Sequence, residues 1–118
     1  MSSLVIELPY PTSTGNHAVR HGAGGHYLTK GALAYRMAVA QALAGRRAPA
    51  GAIRTDWLLA PPTAAARDFD NLMKVVADAL TQAGFWVDDS NRILVRGSWE
   101  WTAPVQGGRV WLEVSPLK

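Results

Sequence analysis

The chain has 118 residues, with twelve Lys and Arg against nine Asp and Glu; 48% of residues are hydrophobic and 18% charged. That length suits one domain, residues 1–118, able to bury a core, and the composition excludes disorder throughout. Cysteine is absent, which removes disulfides, thiolate nucleophiles and zinc–thiolate sites, and no apolar run is long enough to cross a bilayer.

Residues 3–8 (SLVIEL) alternate partly and read as a strand stopped by Pro9 and Pro11. Residues 9–28 are rich in Pro, Gly, Ser, Thr and His and read as a long loop. Loops of that length in compact domains serve function or move freely. This one holds Asn16, His17, Arg20, His21 and His26, so contact with a substrate stands beside plain mobility. Residues 29–45 read as a helix, with Thr29 able to cap it and Gly45 able to end it. Residues 52–60 alternate Ile53, Thr55, Trp57 and Leu59 as a strand, ended by Pro61–Pro62.

Residues 68–83 give the clearest helix. Asp68 is a fair N-cap and Gly84 a fair terminating glycine. At helical spacing Leu72, Val75, Val76, Ala79 and Leu80 share one face, and Asp70, Asn71, Lys74, Asp78 and Thr81 the other. Asp88–Asp89–Ser90–Asn91 reads as a turn. Residues 92–101 and 109–114 read as two strands joined through Gly107–Gly108, an expected antiparallel hairpin. The order β, long loop, α, β, α, β, β implies an α+β fold, two main helices on one face of a small mixed sheet. The five tryptophans, at 57, 86, 99, 101 and 111, read mainly as core or interface; Trp99 and Trp101 share a strand face and could stack on bases.

Charge is unevenly spread. Residues 68–89 carry Asp68, Asp70, Asp78, Asp88 and Asp89 against Lys74 alone, while the sequence on both sides is net basic. Close like charges cost energy unless a cation offsets them, and a basic periphery attracts a polyanion. A solvated helix face followed by an acidic turn is the reading that charge alone favours. Asp68 and Asp70 stand at a helix start, with Lys74 one turn beyond Asp70 on its face. Should the Asp88–Asp89 turn fold back to them, three carboxylates would offer hard oxygen ligands for Mg²⁺ or Mn²⁺, ions that bind phosphates. Arg67 and Lys74 could then hold the phosphate or its leaving oxygen. The helix is about 22 Å long at 1.5 Å per residue, so spacing alone leaves open whether they meet. No Gly-rich phosphate loop, H-E-x-x-H or G-x-S-x-G pattern is present.

The stretch RDFDNLMKVVADALTQAGFWVDD, residues 67–89, is similar to the central motif of the RusA family of Holliday junction resolvases. The family pattern R-D-x-D-N-x-x-K-x-x-x-D-A-L-x-x-x-G-x-x-x-D-D has eleven fixed residues, and all eleven match. The opening strand with its Pro-rich sequel, ELPYPTSTGN, and Tyr35–Arg36 in the first helix extend the resemblance over most of the chain. The family's loop commonly reads Pro-Pro-Ser followed closely by Asn; here it is Pro11-Thr12-Ser13-Thr14-Gly15-Asn16, so junction or cutting-sequence preference is expected to differ.

The resemblance implies a homodimeric, Mg²⁺-dependent endodeoxyribonuclease, with Mn²⁺ able to substitute. It would nick four-way DNA junctions symmetrically in the cytoplasm of a bacterium, from a bacterial or phage gene. It assigns metal binding and catalysis to Asp68, Asp70 and Asp89 and a role in catalysis or DNA contact to Lys74. Arg67, Asn71, Asn16 and Arg20 are further candidate DNA contacts. Asp78, two turns from Asp70, reads as structural or supporting, and the role of Asp88 stays open. A two-fold dimer would supply the two sites that paired nicks require. A nuclease of other branched DNA and a non-catalytic branched-DNA-binding dimer are the alternatives.

Overall fold

A computed structural model describes residues 3–11, 19–22, 25–28 and 30–117, with the backbone alone for 19–22 and 25–28. The elements are β1 (Leu4–Leu8), β2 (Val19–Gly22), β3 (Gly25–Leu28), α1 (Lys30–Leu43), β4 (Ile53–Ala60), α2 (Phe69–Gln82), β5 (Leu94–Trp101) and β6 (Arg109–Pro116). The four long strands form one mixed sheet in the order β1-β6-β4-β5. The α+β architecture with two helices is as expected from the sequence.

Alternation decides which face each strand turns inward. Ile6 and Leu8 of β1, Ile53, Trp57 and Leu59 of β4, and Val110, Leu112 and Val114 of β6 are buried. They pack with Val39 and Leu43 of α1 and with Leu72, Val76 and Leu80 of α2 in one core. Arg54, Leu58, Glu113 and Val5 lie on the opposite, open face of the sheet. Burial of an aliphatic side chain contributes roughly 1.5–3 kcal/mol, so these alternating rows hold the layers together.

Two expectations need correction. The segment 9–28 is not a plain loop: β2 and β3 pair antiparallel within it, with His21 opposite His26. Alternation is hard to see in strands of four residues that include Gly22 and Gly25. The last two strands are also not a hairpin. β5 pairs parallel with β4, and β6 lies antiparallel between β1 and β4. Burial explains the choice: Val110, Leu112 and Val114 are fully enclosed and need a strand on each side, whereas six consecutive residues of β5 are exposed and suit an edge. The connection crosses the end of β4, held there by Thr102 N–H donating to Leu59 O at 2.8 Å and Val105 N–H to Pro61 O at 3.0 Å. Gly107 and Gly108 still make the turn, both with positive φ.

β4, α2 and β5 therefore form a parallel crossover unit. Its geometry places everything near Asp68 at one end of the sheet and everything near Asp89 at the other.

Candidate active site

Asp68 ends an extended approach, with φ −92° and ψ 112°, and caps α2. Its Oδ1 accepts the backbone N–H groups of Asp70 at 3.0 Å and Asn71 at 3.3 Å, and its Oδ2 accepts Asn71 Nδ2 at 3.2 Å. Asn71 thus orients the carboxylate from the side. Phe69, between the two aspartates, stacks on Trp99 of β5 with ring centroids 4.1 Å apart and planes at 26°. Leu72, Val76, Ala79 and Leu80 anchor the helix in the core. Asp68, Asp70 and Lys74 are left exposed on the solvent side, with Asn71 and Asp78 half-buried. Two carboxylates at a helix N-terminus sit where the helix dipole favours negative charge.

Other groups gather at this end. Arg67 is exposed and donates from Nη2 to Thr63 Oγ1 at 2.7 Å. Burial pushes the Tyr10 phenol up while the Arg67 guanidinium pulls it the other way, which places Tyr10 near Arg67. The Tyr10 ring lies flush against Gly108, where an added Cβ would fall 2.7 Å from two ring-side carbons. Tyr35 of α1, its phenol pushed up by burial, donates to Pro9 O at 2.8 Å. Pro9 and Tyr10 are thus clamped at the Asp68 end. Asn16 and the Arg20 side chain, expected DNA contacts, lie outside the described residues, as do Thr29 and His17.

Asp88 and Asp89 follow the far end of α2. Gly84, at φ 78°, and the Phe85 N–H donated to Leu80 O at 3.0 Å close the helix. Phe85 and Trp86 are buried, Trp86 Nε1 donating to Thr81 Oγ1 at 2.8 Å. The turn then emerges into solvent. Ser90 donates its backbone N–H to Asp88 Oδ1 at 2.8 Å, and hydrogen bonding from Ser90 holds the Asp88 carboxyl below the usual range. Ile53 N–H donates to Ile93 O at 2.8 Å, which fastens this turn beside the start of β4, whereas Asp68 follows the end of β4. Fourteen helical residues put the two ends about 20 Å apart.

One chain therefore brings Asp68, Asp70, Asn71, Lys74 and Arg67 to a common end and leaves Asp89 at the other. Among the described residues no three His, Cys, Asp or Glu side chains come together as a metal-holding group. In donor chemistry the residues do fit a hard divalent cation: Asp68 and Asp70 are exposed carboxylates, and the protein bonds to Asp68 occupy only part of its acceptor capacity. The third carboxylate expected from the sequence, Asp89, does not join them within a single chain.

The Phe69–Trp99 stack escaped the sequence reading. Thirty residues separate the two rings, and they meet only because β5 returns parallel beside β4.

Comparison with known proteins supplies the frame for this end of the molecule. The family model for endodeoxyribonuclease RusA matches residues 9–114. The crossover junction endodeoxyribonuclease of Enterobacteria phage 82 is 35% identical over 123 aligned positions, covering 99% of this chain and 98% of the relative. Its counterparts from Escherichia coli K12 and Shigella sonnei are 34% and 33% identical over the same coverage.

Proposed function

Because the chain belongs to the RusA family of endodeoxyribonucleases, we propose that it cleaves four-way DNA junctions by paired symmetric nicks, as a Mg²⁺-dependent homodimer. The observation that carries this reading is the capped, solvent-facing Asp68–Asp70 pair on α2, flanked by Arg67 and Lys74, inside a chain alike to junction endonucleases over nearly its whole length. Mg²⁺ would be held by Asp68, Asp70 and a third carboxylate, and when bound supplies an activated water and offsets charge at phosphorus.

The topology speaks for the dimer. Asp89 cannot join Asp68 and Asp70 of its own chain without crossing the length of α2. A two-fold arrangement that runs the two α2 helices antiparallel brings Asp89 of the partner subunit to the Asp68 end, and generates two identical sites at once. Paired nicks on a two-fold symmetric junction need two such sites.

The residues of this chain have separable tasks. Asn71 holds the Asp68 carboxylate in one orientation. Lys74, on the Asp70 face, neutralises a phosphate oxygen as charge develops. Arg67 binds the backbone next to the scissile position, within reach of the clamp formed by Tyr10.

The test uses purified protein and a synthetic four-way junction with a fixed core, each strand labelled in turn, in Mg²⁺ or EDTA. Paired nicks on opposite strands, present only with Mg²⁺, are expected. Asp70→Asn should keep junction binding and lose cleavage, and Lys74→Ala should slow cleavage roughly a hundredfold, the scale of one lost transition-state contact. Binding without nicks across several core sequences, in Mg²⁺ and Mn²⁺, would overturn the catalytic reading in favour of a branched-DNA-binding dimer. Faster cutting of flaps or forks would change the substrate.

A further inference from the structure

Trp99 is an unusual residue to leave half in solvent: it is 52% exposed on an edge strand. One face of its indole is held against Phe69 at 4.1 Å. Phe69 is itself fixed between the two carboxylates of the candidate site. Beside the stack is an open groove of about 270 Å³, lined also by Trp57, Met73, Arg96 and Gly97. Trp57 is buried and ties its Nε1 to Thr55 Oγ1 at 3.1 Å, so the floor of the groove is rigid. The indole is thus pre-oriented, free on one side, and adjacent to where a scissile phosphate would lie.

We propose that Trp99 is a base-stacking platform that selects branched over continuous DNA. The inference rests on the junction-cleaving function proposed above and adds a specificity residue to it. The reason for choosing a nucleobase as occupant is chemical. The groove has room for a planar ring but not for a duplex, and an aromatic face held by a second ring costs little entropy to use. Phe69, which lines the groove, stands between Asp68 and Asp70 in the chain, so the groove lies beside the acidic pair. Bases inside a duplex are stacked on each other and offer no free face, whereas bases at a strand exchange point can leave the stack. Stacking on an aromatic side chain tolerates any base and contributes enough to shift affinity by about tenfold or more per base. Trp99 therefore rewards branch points, whatever their sequence, and gives nothing to an uninterrupted duplex.

The experiment compares wild type, Trp99→Ala and Trp99→Phe for binding to a four-way junction and to a linear duplex of the same arm sequence, in EDTA so that cleavage plays no part. Trp99→Ala should weaken junction binding about tenfold and leave duplex binding within twofold. Trp99→Phe, which keeps a ring on Phe69, should retain most of the preference. On wild-type protein, 2-aminopurine placed at the exchange point should change its fluorescence on binding, because it exchanges its DNA neighbours for the indole, and should keep it when placed within an arm. This second measurement decides the matter even where Trp99→Ala lowers stability. If wild type prefers and nicks the junction while Trp99→Ala matches it on both substrates and 2-aminopurine does not respond, the platform is wrong and the function stands. If Trp99→Ala dissociates the dimer in sedimentation, the exposed face is covered by a second copy, and the platform is equally wrong. If wild type shows no preference for the junction, the function itself falls, and the platform with it.

Discussion

A carboxylate can accept about four hydrogen bonds, and Asp68 spends three on its own helix. Capping and charge can therefore be separated by substitution. Asn caps as well as Asp, so Asp68→Asn should melt like wild type yet fail to cleave; Asp68→Ala should lose about 1 kcal/mol of stability as well, by chemical denaturation. Equal cleavage by wild type and Asp68→Asn would remove this residue from the site. Gly97 illustrates a different kind of constraint. An ideal Cβ there would run into the Thr55 carbonyl oxygen, because β4 and β5 approach closely beside the register shift at Ile53–Arg54. Gly97→Ala must push the strands apart and should cost about 1–3 kcal/mol, the range of overpacked sites. An unchanged melting temperature would show that the edge strand yields freely. The same substitution would disturb Trp99, two residues away, so Trp99 itself is the better probe of selectivity.

Among the elements, β6 carries the fold. It is hydrogen-bonded on both sides, and its inward residues Val110, Leu112 and Val114 are fully enclosed. Leu112→Ala should destabilise by about 2–5 kcal/mol, as a buried cavity does; a loss below 1 kcal/mol would contradict its central place. β5, by contrast, is held on one side only, and a side-chain tie reinforces it: Ser98 Oγ donates to Asp56 Oδ1 at 2.6 Å. Asp56 also pairs with Arg54 at 2.9 Å, and hydrogen bonds from Arg54 and then Ser98 hold its carboxyl below the ordinary value of 3.8. A lowered folded-state pKa stabilises above the unfolded value and ceases to do so as pH falls through the folded one. Asp56→Asn should therefore be less stable than wild type at pH 7, with the gap closing as pH drops below about 4. A gap independent of pH would mean that shape, not charge, is what Asp56 contributes. Parallel crossover against hairpin was not readable in the sequence, because both topologies use the same alternation in residues 92–101 and 109–114. The choice depends on which strand is enclosed on both edges, a property of the assembled sheet.

For the molecule as a whole, the decisive feature is that α2 separates Asp68 and Asp70 from Asp89. A site completed across a two-fold axis makes a sharp prediction for mixed subunits. Asp70→Asn and Asp89→Asn homodimers should each fail to cleave. After subunit exchange, the heterodimer holds one site with both lesions and one with neither, so nicking should return on one strand per junction. Continued silence of the mixture, with exchange verified by mass, would place all three carboxylates in one chain and require the 88–89 turn to move. The charge pattern fits the same picture: the net basic sequence on both sides of the acidic 68–89 segment draws a polyanion toward the site. Junction affinity should accordingly fall steeply with salt.

Local chemistry was settled by the sequence itself. Asp68 caps because a short acceptor precedes an apolar helical stripe. Gly84 ends the helix because a positive φ costs it little. Lys74 shares the Asp70 face because the two are one turn apart. The spacing of R-D-x-D-N and K also places Arg67, Asp68, Asp70, Asn71 and Lys74 around the start of one helix. Asp89 is the instructive contrast: spacing left open whether it meets Asp68 and Asp70, and the crossover carries it to the other end of α2. Tertiary structure alone decided the strand order, the distance between the acidic clusters and the meeting of Phe69 with Trp99. Each depends on contacts between residues far apart in the chain, set by which apolar faces can be enclosed together, and periodicity within a segment holds no record of that.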